Sequence, residues 1–274
     1  MPPLYVVPTP IGNLEDITLR ALRLLREVTL IAAEDTRTTR VLLQHYQITT
    51  PLTSYHEHNK LARLDAIFRA LENGDVALVS DAGTPGVSDP GYELVAEAIT
   101  RGIRVEVLPG ANAILPALVG SGLPTDRFTF LGFLPRREKA LREFIESVRA
   151  ERGTLIAYES PNRLVETLET LRALLGDRRV CVARELSKKF ETFERGTLGE
   201  IIARFREQLP RGEITLVIAG AAEDAPAEWD AERVRAALHE RLAAGEPLSS
   251  AARAVAAESG WNRRDVYDLG IGNE

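Results

Sequence analysis

The sequence predicts an α/β protein made of two α/β domains and a small helical extension, and three observations support this prediction. Short, β-branched and nearly continuous apolar runs alternate with segments of helical period, which is typical of sheets buried on both faces. The chain has 274 residues, more than the roughly 250 at which one hydrophobic core usually stops growing. An Ala/Pro/acidic stretch, "AAEDAPAEWD", separates three short helical patterns from the rest. The predicted domains are 1–119 and 120–224, with the extension at 225–274.

In the first domain, strand-like and helical patterns follow each other in order. The strand-like runs are "LYVVP", "VTLIAA", "DVALVS" and "RVEVLP". The helical patterns are "DITLRALRLLREV", "RTTRVLLQHY", "NKLARLDAIFRALENG" and "PGYELVAEAITRG", two of which end in glycine, a helix stop signal. This alternation predicts a mostly parallel sheet that extends to about residue 118.

The second domain contains more strands than helices. A linker is predicted at "GSGLPTD" (120–126), and the strand-like runs "RFTFLGFLP", "GTLIAYESP", "RRVCVARE", "FETFERGTL" and "GEITLVIAG" follow it, with helices at 138–150, 162–175 and 199–208. The excess of strands predicts a mixed sheet. The three C-terminal helices occupy about 45 residues, which is small for an independent core, so we expect them to dock on the body or on a partner.

Composition and charge exclude several classes of protein. A hydrophobic content of 45% and a charged content of 27% are typical of a soluble globular protein. Because the start lacks a basic flank and a long apolar run, no secretory signal is predicted and the expected location is the cytoplasm. Cys181 is the single cysteine and the four histidines are scattered, so no metal site is expected. The last 52 residues hold 11 Asp+Glu against 6 Lys+Arg and carry most of the net charge of −6, so any RNA site in the near-neutral body must be a local patch.

Four loops occupy the positions at which open α/β sheets bind ligands, beyond the carboxyl ends of the strands. They are "PTPIGNLED" (8–16), "AEDTRTTR" (33–40), "SDAGTPGVSDPG" (80–91) and "PGANA" (109–113). The third loop contains two aspartates and neither Lys nor Arg, so it lacks the features of a phosphate-binding glycine loop. Its glycines indicate close backbone approach, and its charge favours a neutral or cationic ligand such as a nucleoside with a sulfonium centre.

Several polar residues have a structural interpretation beside a functional one. Ser88 or Asp89 is predicted to cap the helix that follows the third loop, and Asp16 either caps the first helix or has a functional role. Glu34 and Asp35 occupy the position at which dinucleotide-binding domains contact ribose hydroxyls, although Asp35 would also cap the next helix. The run "SYHEHN" either lines a polar cleft or forms a solvated loop.

Five motifs resemble, in their order, the tetrapyrrole methylase superfamily. They are "VVPTPIGNLEDITLRAL", "AEDTR", "VALVSDAGTPGVSDPG", "VEVLPGANAILPALVGSGLP" and "GFLPR", and the resemblance extends from residue 4 to about residue 220. The closer similarity is to the branch that methylates the 2′-oxygen of a cytidine ribose in the decoding region of 16S rRNA, at cytidine 1402 in the usual rRNA numbering. Residues 8–13 and 83–85 depart from the G-x-G-P-G-D and G-D-P loops of the tetrapyrrole enzymes, which argues against a porphyrinoid substrate.

This resemblance implies a two-domain tetrapyrrole-methylase-like fold with a C-terminal helical extension, no metal, and a homodimer. It also implies S-adenosylmethionine as the cofactor, bound in a cleft between the two α/β domains. The cofactor contacts that it implies are Pro10, Ile11, Ala82, Gly83, Thr84, Val87, Asn112, Ala113, Tyr158, Glu159 and Leu186.

Transfer of a methyl group to a ribose 2′-hydroxyl requires alignment, exclusion of water and removal of the hydroxyl proton. The candidate catalytic residues are Glu34, Asp35 and Lys188, and Lys188 would need a lowered pKa, which burial could supply. The candidate substrate-binding residues are Asn13, Arg37, Arg40, His56, Asn59, Arg136 and Arg137.

The expected partner is 16S rRNA within the 30S subunit, because a near-neutral body predicts weak binding of isolated RNA. Two alternatives remain open. One is a methylase of a tetrapyrrole or of a protein side chain on the same fold. The other is a non-enzymatic ribosome-binding module, which the C-terminal helices suggest.

Overall fold

Two five-stranded sheets with their helices form one unit, Met1–Gly220, and three helices form a second, Ala221–Glu274. The structure is a computed structural model that describes residues 2–56, 60–222, 229–259 and 261–271. The predicted fold class is confirmed: the first sheet is parallel, the second is mixed, and helices follow them. The domain boundaries after residues 119 and 224 stay predictions.

The first sheet contains only parallel pairs. Its strands are β1 (Leu4–Val6), β2 (Leu30–Ala33), β3 (Leu52–Ser54), β4 (Val76–Val79) and β5 (Val105–Val107), in the order β3-β2-β4-β1-β5. Its helices are α1 (Leu19–Glu27), α2 (Thr36–His45), α3 (Lys60–Asn73) and α4 (Tyr92–Thr100). The short edge strand β3 was not predicted, because Leu-Thr-Ser contains a single apolar side chain.

Helices cover both faces of the first sheet. Buried side chains of α1 and α2, including Leu25 and Leu43, pack with Ile31 on one face. Those of α3 and α4, including Leu71 and Leu94, form the core on the other face. Since both faces are buried, the carboxyl ends of the strands are where the sheet can present loops to a ligand.

Helix α1 begins later than predicted. Thr18 is its N-cap and accepts a hydrogen bond from the backbone N–H of Ala21 at 3.0 Å. Asp16 ends a short 3-10 helix, Leu14–Asp16, so the interpretation of Asp16 as the cap of α1 is wrong. The side chain of Asn13 caps that 3-10 helix instead.

The capping prediction is confirmed for α2 and wrong for α4. Asp35 is the N-cap of α2 and accepts a hydrogen bond from the backbone N–H of Arg37 at 2.8 Å. Gly91 is the N-cap of α4 and makes no side-chain hydrogen bond, so neither Ser88 nor Asp89 caps that helix. The reason is local: a proline and a glycine separate Asp89 from the first turn of α4.

The second sheet pairs one strand in parallel and the others antiparallel. Its strands are β6 (Phe128–Phe133), β7 (Thr154–Glu159), β8 (Arg179–Arg184), β9 (Thr192–Thr197) and β10 (Ile214–Ile218), in the order β6-β7-β10-β8-β9. The helices α6 (Glu138–Ser147), α7 (Leu164–Leu175) and α8 (Leu198–Glu207) contribute to one buried cluster with this sheet.

The two sheets are connected by a helix that was not predicted, α5 (Ile114–Ser121). The linker therefore begins later than residue 120, and Gly122, with φ +72°, ends the helix. Ala117 and Leu118 of α5 pack in a buried cluster with Ile156 and Cys181 of the second sheet. Position 120 of α5 requires a glycine, because a Cβ there would collide with the Phe193 ring.

The second unit contains α9 (Ala231–Ala243), α10 (Leu248–Ser259) and α11 (Arg263–Ile271), as the periodicity predicted. These helices share a buried cluster that includes Val234, Val255 and Val266. The indole N–H of Trp261 donates a hydrogen bond to the carbonyl of Trp229 at 2.7 Å. The expectation that these residues are too few for a core of their own is corrected in part, because the unit does bury a small one. Within the described part of the chain, every helix is too short or too polar to cross a membrane.

Candidate functional site

A cavity of about 630 Å³ lies between the two sheets of the first unit. The first sheet contributes the loops after β1, β4 and β5 and the start of α5; the second contributes β6, β7, the turn after β8 and the start of β10. The lining residues are Ile11, Ala82, Gly83, Thr84, Val87, Ser88, Asp89, Asn112, Ala113, Ile114, Leu115, Phe128, Phe133, Tyr158, Glu159, Ser160, Pro161, Leu186, Gly212, Glu213, Ile214 and Thr215.

The glycine loop is held against the first loop by a short backbone ladder. Thr9 and Gly83 exchange two backbone hydrogen bonds of 2.9 Å each. The Thr9 hydroxyl also donates to the carbonyl of Ser80 at 3.0 Å. Gly83 has φ +79°, a conformation that L side chains rarely adopt. These contacts place the backbone of Ala82, Gly83 and Thr84 along the cavity.

The first loop makes two further close contacts. A Cβ on Gly110 would lie 2.7 Å from Cβ of Pro8, so the loop after β5 needs a glycine there. A Cβ on Gly12 would lie 2.9 Å from the carbonyl oxygen of Leu186, which belongs to the second sheet. Glycines therefore allow the loops of the two sheets to meet at this edge of the cavity.

Aromatic rings and one buried carboxylate form the wall on the second sheet. The Tyr158 ring centroid lies 5.0 Å from that of Phe130 and 5.3 Å from that of Phe133. The buried Glu159 carboxylate accepts hydrogen bonds of 2.7 Å from the Thr167 hydroxyl, and its other oxygen lies 3.3 Å from the Arg163 guanidinium. The charge of Glu159 is thus balanced by Arg163, and these contacts hold the end of β7 in place.

The turn after β8 is strained and carries an ion-pair network. Glu185 and Ser187 have φ +51° and +63°. They flank Leu186, which lines the cavity. The Lys188 ammonium lies 3.0 Å from the Glu185 carboxylate and 3.1 Å from that of Glu213. Burial alone would lower the pKa of Lys188, but these hydrogen bonds outweigh it and raise the pKa. Lys188 therefore lacks the lowered pKa that it would need as a catalytic base, because two carboxylates stabilise its charged form.

Four carboxylates gather where the loops after β2 and β4 meet. The backbone N–H of Asp81 donates to Glu34 Oε2 at 3.2 Å, and that of Asp35 donates to Asp81 Oδ1 at 3.0 Å. Asp35 also pairs with Arg37 at 2.6 Å, and this hydrogen bonding lowers the pKa of Asp35 to about 2. Burial raises the pKa of both Glu34 and Asp81.

Asp89 is the carboxylate of this group that lines the cavity. Burial and then the nearby charges of Glu34 and Asp81 raise its pKa to about 6. Tyr158 faces it from the second sheet, and burial followed by the charge of Asp89 raises the Tyr158 pKa to about 12. Within the described residues, no three His, Cys, Asp or Glu side chains are arranged to hold a metal ion.

The predicted cofactor contacts, apart from Pro10, all lie in the cavity lining. Pro10 precedes Ile11 in the first loop and does not reach the lining. The predicted catalytic residues Glu34, Asp35 and Lys188 lie in the acidic group and in the network beside the cavity, outside its lining.

The predicted substrate-binding residues lie around several loops. Asn13 caps the short 3-10 helix, Arg37 pairs with Asp35, and His56 lies near enough to Glu34 to lower its pKa. Asn59 falls outside the described residues. Asn13 and Arg37 are exposed, as are Arg40 on α2 and Arg136 and Arg137 after β6.

Sequence reasoning missed several lining residues. Asp89 was interpreted as a helix cap, and Phe128 and residues 212–215 were interpreted only as parts of strands. Phe133 was part of the motif "GFLPR" but was not named as a contact. A signal existed for Asp89, since it stands in the same loop as the predicted glycines. The residues of the second sheet carry no local signal, because only the packing of that sheet over the first turns them toward the cavity.

The sequence matches a protein family over most of its length and has relatives that are similar along nearly the whole chain. Residues 3–202 match the family model described as Tetrapyrrole (Corrin/Porphyrin) Methylases. The chain is 47% identical over 270 residues to "Ribosomal RNA small subunit methyltransferase I" of Halalkalibacterium halodurans, which covers 97% of this chain and 93% of the relative. It is 49% identical to the protein of that name from Synechocystis, covering 98% and 97% of the two chains.

Solved structures support the same fold. The uroporphyrin-III C-methyl transferase from Thermus thermophilus, solved in complex with S-adenosyl homocysteine, superposes with a TM-score of 0.55 at 23% identity. The match covers 78% of this chain and 96% of that one. Together with the family match over most of the chain, these findings show that the protein belongs to the tetrapyrrole methylase family.

Proposed function

We propose that this chain is an S-adenosylmethionine-dependent methyltransferase that modifies 16S rRNA. Its acceptor is the 2′-oxygen of a cytidine ribose in the decoding region, at position 1402 in the usual rRNA numbering. The names of the relatives that match nearly the whole chain support an rRNA acceptor. The observation that supports methyl transfer from S-adenosylmethionine is the cavity between the sheets. Its lining contains the predicted cofactor contacts apart from Pro10.

The cavity suits this methyl donor in size and charge. Its volume of about 630 Å³ lies within the roughly 300–1,000 Å³ of small-molecule sites. Its described lining contains no Lys, Arg or His. Of its carboxylates, Glu159 and Glu213 pair with Arg163 and Lys188, so it is the charge of Asp89 that favours a cation over a phosphate. When bound, S-adenosylmethionine supplies an electrophilic methyl group on a sulfonium. The residues that would hold it include Ile11 and the backbone of 82–84.

Residues of this chain supply alignment and exclude water. Ile11, Leu186 and the Tyr158 ring provide apolar walls on both sides of the cavity. Glu34 stays a candidate proton acceptor because burial raises its pKa. The low pKa of Asp35 makes it a weak base. Asp35 instead positions the start of α2 as its N-cap. Lys188, with its raised pKa, is protonated near neutral pH and contributes a positive charge beside Leu186.

The RNA partner is a folded particle in this proposal. The exposed cations Arg40, on α2, and Arg136 and Arg137, after β6, belong to a body whose charge is close to neutral. Binding of naked RNA through so few phosphate contacts would be weak and sensitive to salt. The acceptor is therefore 16S rRNA within the 30S subunit. A homodimer and a cytoplasmic location belong to the same proposal.

The test is methyl transfer in vitro to 30S subunits that lack the modification. Mass spectrometry of nuclease fragments is expected to find one 2′-O-methylcytidine in the decoding region, formed at least about tenfold faster on 30S subunits than on isolated 16S rRNA. Parallel reactions with a tetrapyrrole and with a protein acceptor are expected to give no product. A methyl group on a base, or on the tetrapyrrole alone, would refute the proposal. Calorimetry with S-adenosylmethionine separates an enzyme from a binding module, which would release no heat.

A further inference from the structure

A second cavity, of about 450 Å³, adjoins the cavity that is proposed to hold the methyl donor (the donor cavity). Its lining comes from the first loop, the loop after β5, helix α5 and the turn after β8. Ile11, Asn112 and Leu115 line both cavities, so a ligand in one is adjacent to a ligand in the other. The volume lies within the range of small-molecule sites and is sufficient for a nucleobase.

The wall that α5 gives to the second cavity is apolar and exposed. Leu115 and Val119 lie about one helical turn apart, and their exposed fractions are 49% and 71%. Pro116 belongs to the same lining. Exposed apolar side chains that line a cleft commonly mark a binding surface. This wall therefore offers a surface against which the face of a planar ring can pack.

Asp16 supplies the one charged side chain in the described lining of the second cavity. Thr18, and not Asp16, caps α1, and the Asp16 carboxylate forms no hydrogen bond or ion pair with any residue that the structure describes. The amide of Asn112 is engaged, because its oxygen accepts a hydrogen bond from the backbone N–H of Leu115 at 2.9 Å. The carboxylate of Asp16 is therefore available to a ligand that enters the cavity.

We propose that the second cavity binds the base of the acceptor nucleotide and that Asp16 selects cytosine there. This inference rests on the proposed function and names the residue that gives it base specificity. The base is attached to the ribose carbon next to the one that bears the 2′-oxygen, so a ribose at the donor cavity directs its base into an adjoining space. The N4 amine of cytosine donates a hydrogen bond to a carboxylate, whereas uracil presents the O4 acceptor there, which a carboxylate repels.

Charge distinguishes between the parts of an RNA that could enter the second cavity. A phosphate would be repelled by Asp16 and would meet no Lys, Arg or His in the described lining. A base with an exocyclic amine satisfies the carboxylate at its edge and covers the apolar wall of α5 with its face. Single-stranded RNA is commonly recognised in this way, through bases that have left their stack.

The test measures single-turnover methylation of 30S subunits that are reconstituted with cytidine or with uridine at the acceptor position. The unsubstituted chain is expected to methylate cytidine about 10–100-fold faster than uridine. Asp16→Asn, whose amide can also donate to the uracil oxygen, is expected to reduce this preference about tenfold. Its Kd for S-adenosylmethionine, measured by calorimetry, should stay within about threefold of that of the unsubstituted chain, because Asp16 lies outside the lining of the donor cavity.

Glu15→Gln provides a matched control, because Glu15 is the neighbouring exposed carboxylate of the same 3-10 helix and lies outside both linings. It is expected to keep the rate, the base preference and the donor affinity. An unchanged preference in Asp16→Asn, the same loss in Glu15→Gln, or a donor Kd raised tenfold or more in Asp16→Asn would each overturn the assignment of Asp16. If the unsubstituted chain methylates cytidine and uridine equally, the base assignment fails alone; if it methylates neither, the proposed function fails as well.

Discussion

Replacing Gly91 by alanine tests how the glycine loop is built. Gly91 has φ +153° and is the N-cap of α4. A Cβ there would lie 2.9 Å from the backbone nitrogen of Gly86 and 3.2 Å from Cδ2 of Leu78. Because the nearest atom belongs to backbone, either the loop or the helix must move. Gly86 directly precedes Val87, which lines the cavity, so we expect Gly91→Ala to weaken both the fold and donor binding.

The expected magnitude has two parts. Backbone strain at a positive φ costs roughly 1–3 kcal/mol, and crowding in a packed region costs about as much again. The free energy of unfolding should therefore fall by about 2–5 kcal/mol. With a urea m-value of roughly 2.5 kcal/mol/M, this lowers the unfolding midpoint by about 1–2 M.

Gly102→Ala is the matched control at the other end of α4. Gly102 has φ +70°, but a Cβ there would meet no atom within 4 Å. Only the backbone strain remains, so the expected loss is about 1–2 kcal/mol, or roughly 0.5 M in the midpoint. The difference between the two variants measures the collision with Gly86.

The assay is urea unfolding followed by far-UV circular dichroism, since both tryptophans, Trp229 and Trp261, lie in the second unit and their fluorescence would report on that unit. Calorimetry with S-adenosylmethionine should give at least about tenfold weaker binding for Gly91→Ala and unchanged binding for Gly102→Ala. Equal midpoints for the two variants, or unchanged donor affinity in Gly91→Ala, would refute the reasoning.

Two further substitutions test the polar contacts around the cavity. Asp35→Asn keeps the capping oxygen and removes the charge beside Arg37; since the folded pKa of about 2 lies below the ordinary 3.8, this charge stabilises the fold above about pH 4 and the effect is lost as the pH falls toward 2. The gap in thermal midpoint between Asp35→Asn and the unsubstituted chain should accordingly shrink from pH 7 to pH 3, and a constant gap would contradict this. Thr167→Val leaves an oxygen of the buried Glu159 without its 2.7 Å hydrogen bond and should cost about 1–3 kcal/mol in urea unfolding. Thr170→Val removes only a bond to a helix carbonyl at 3.0 Å and should cost less, so equal losses would count against the role given to Thr167.

Local patterns predicted most of the fold because helices and strands differ in the spacing of their apolar residues. The order of elements, the parallel first sheet and the three C-terminal helices follow from that spacing. The two omissions, β3 and α5, have a shared cause. Leu52–Ser54 is a short, largely polar edge strand, and Ile114–Ser121 contains a proline and a glycine that packing against the second sheet overrides.

Site residues that belong to ordered motifs were predictable, and those that depend on the packing of the second sheet were not. The resemblance to the tetrapyrrole methylases is confirmed, and the glycine loop lies at the cavity as its composition suggested. Phe128 and Ile214 carry no such signal. Each has the pattern of an ordinary strand residue. It lies at the cavity because β6 and β10 pack against the loops of the first sheet.

By itself, the sequence determined the alternation of strands and helices, the loops at the strand ends and the absence of basic residues from the glycine loop, because these depend on neighbours in the chain. Only the tertiary structure decided the proton affinities of Asp89 and Lys188. Asp89 is buried beside Glu34, 55 residues away, and Lys188 meets Glu213, 25 residues away, so their pKa shifts exist only after distant strands have packed. A pKa depends on burial and on charges in space, and neither can be read from a residue's position in the chain.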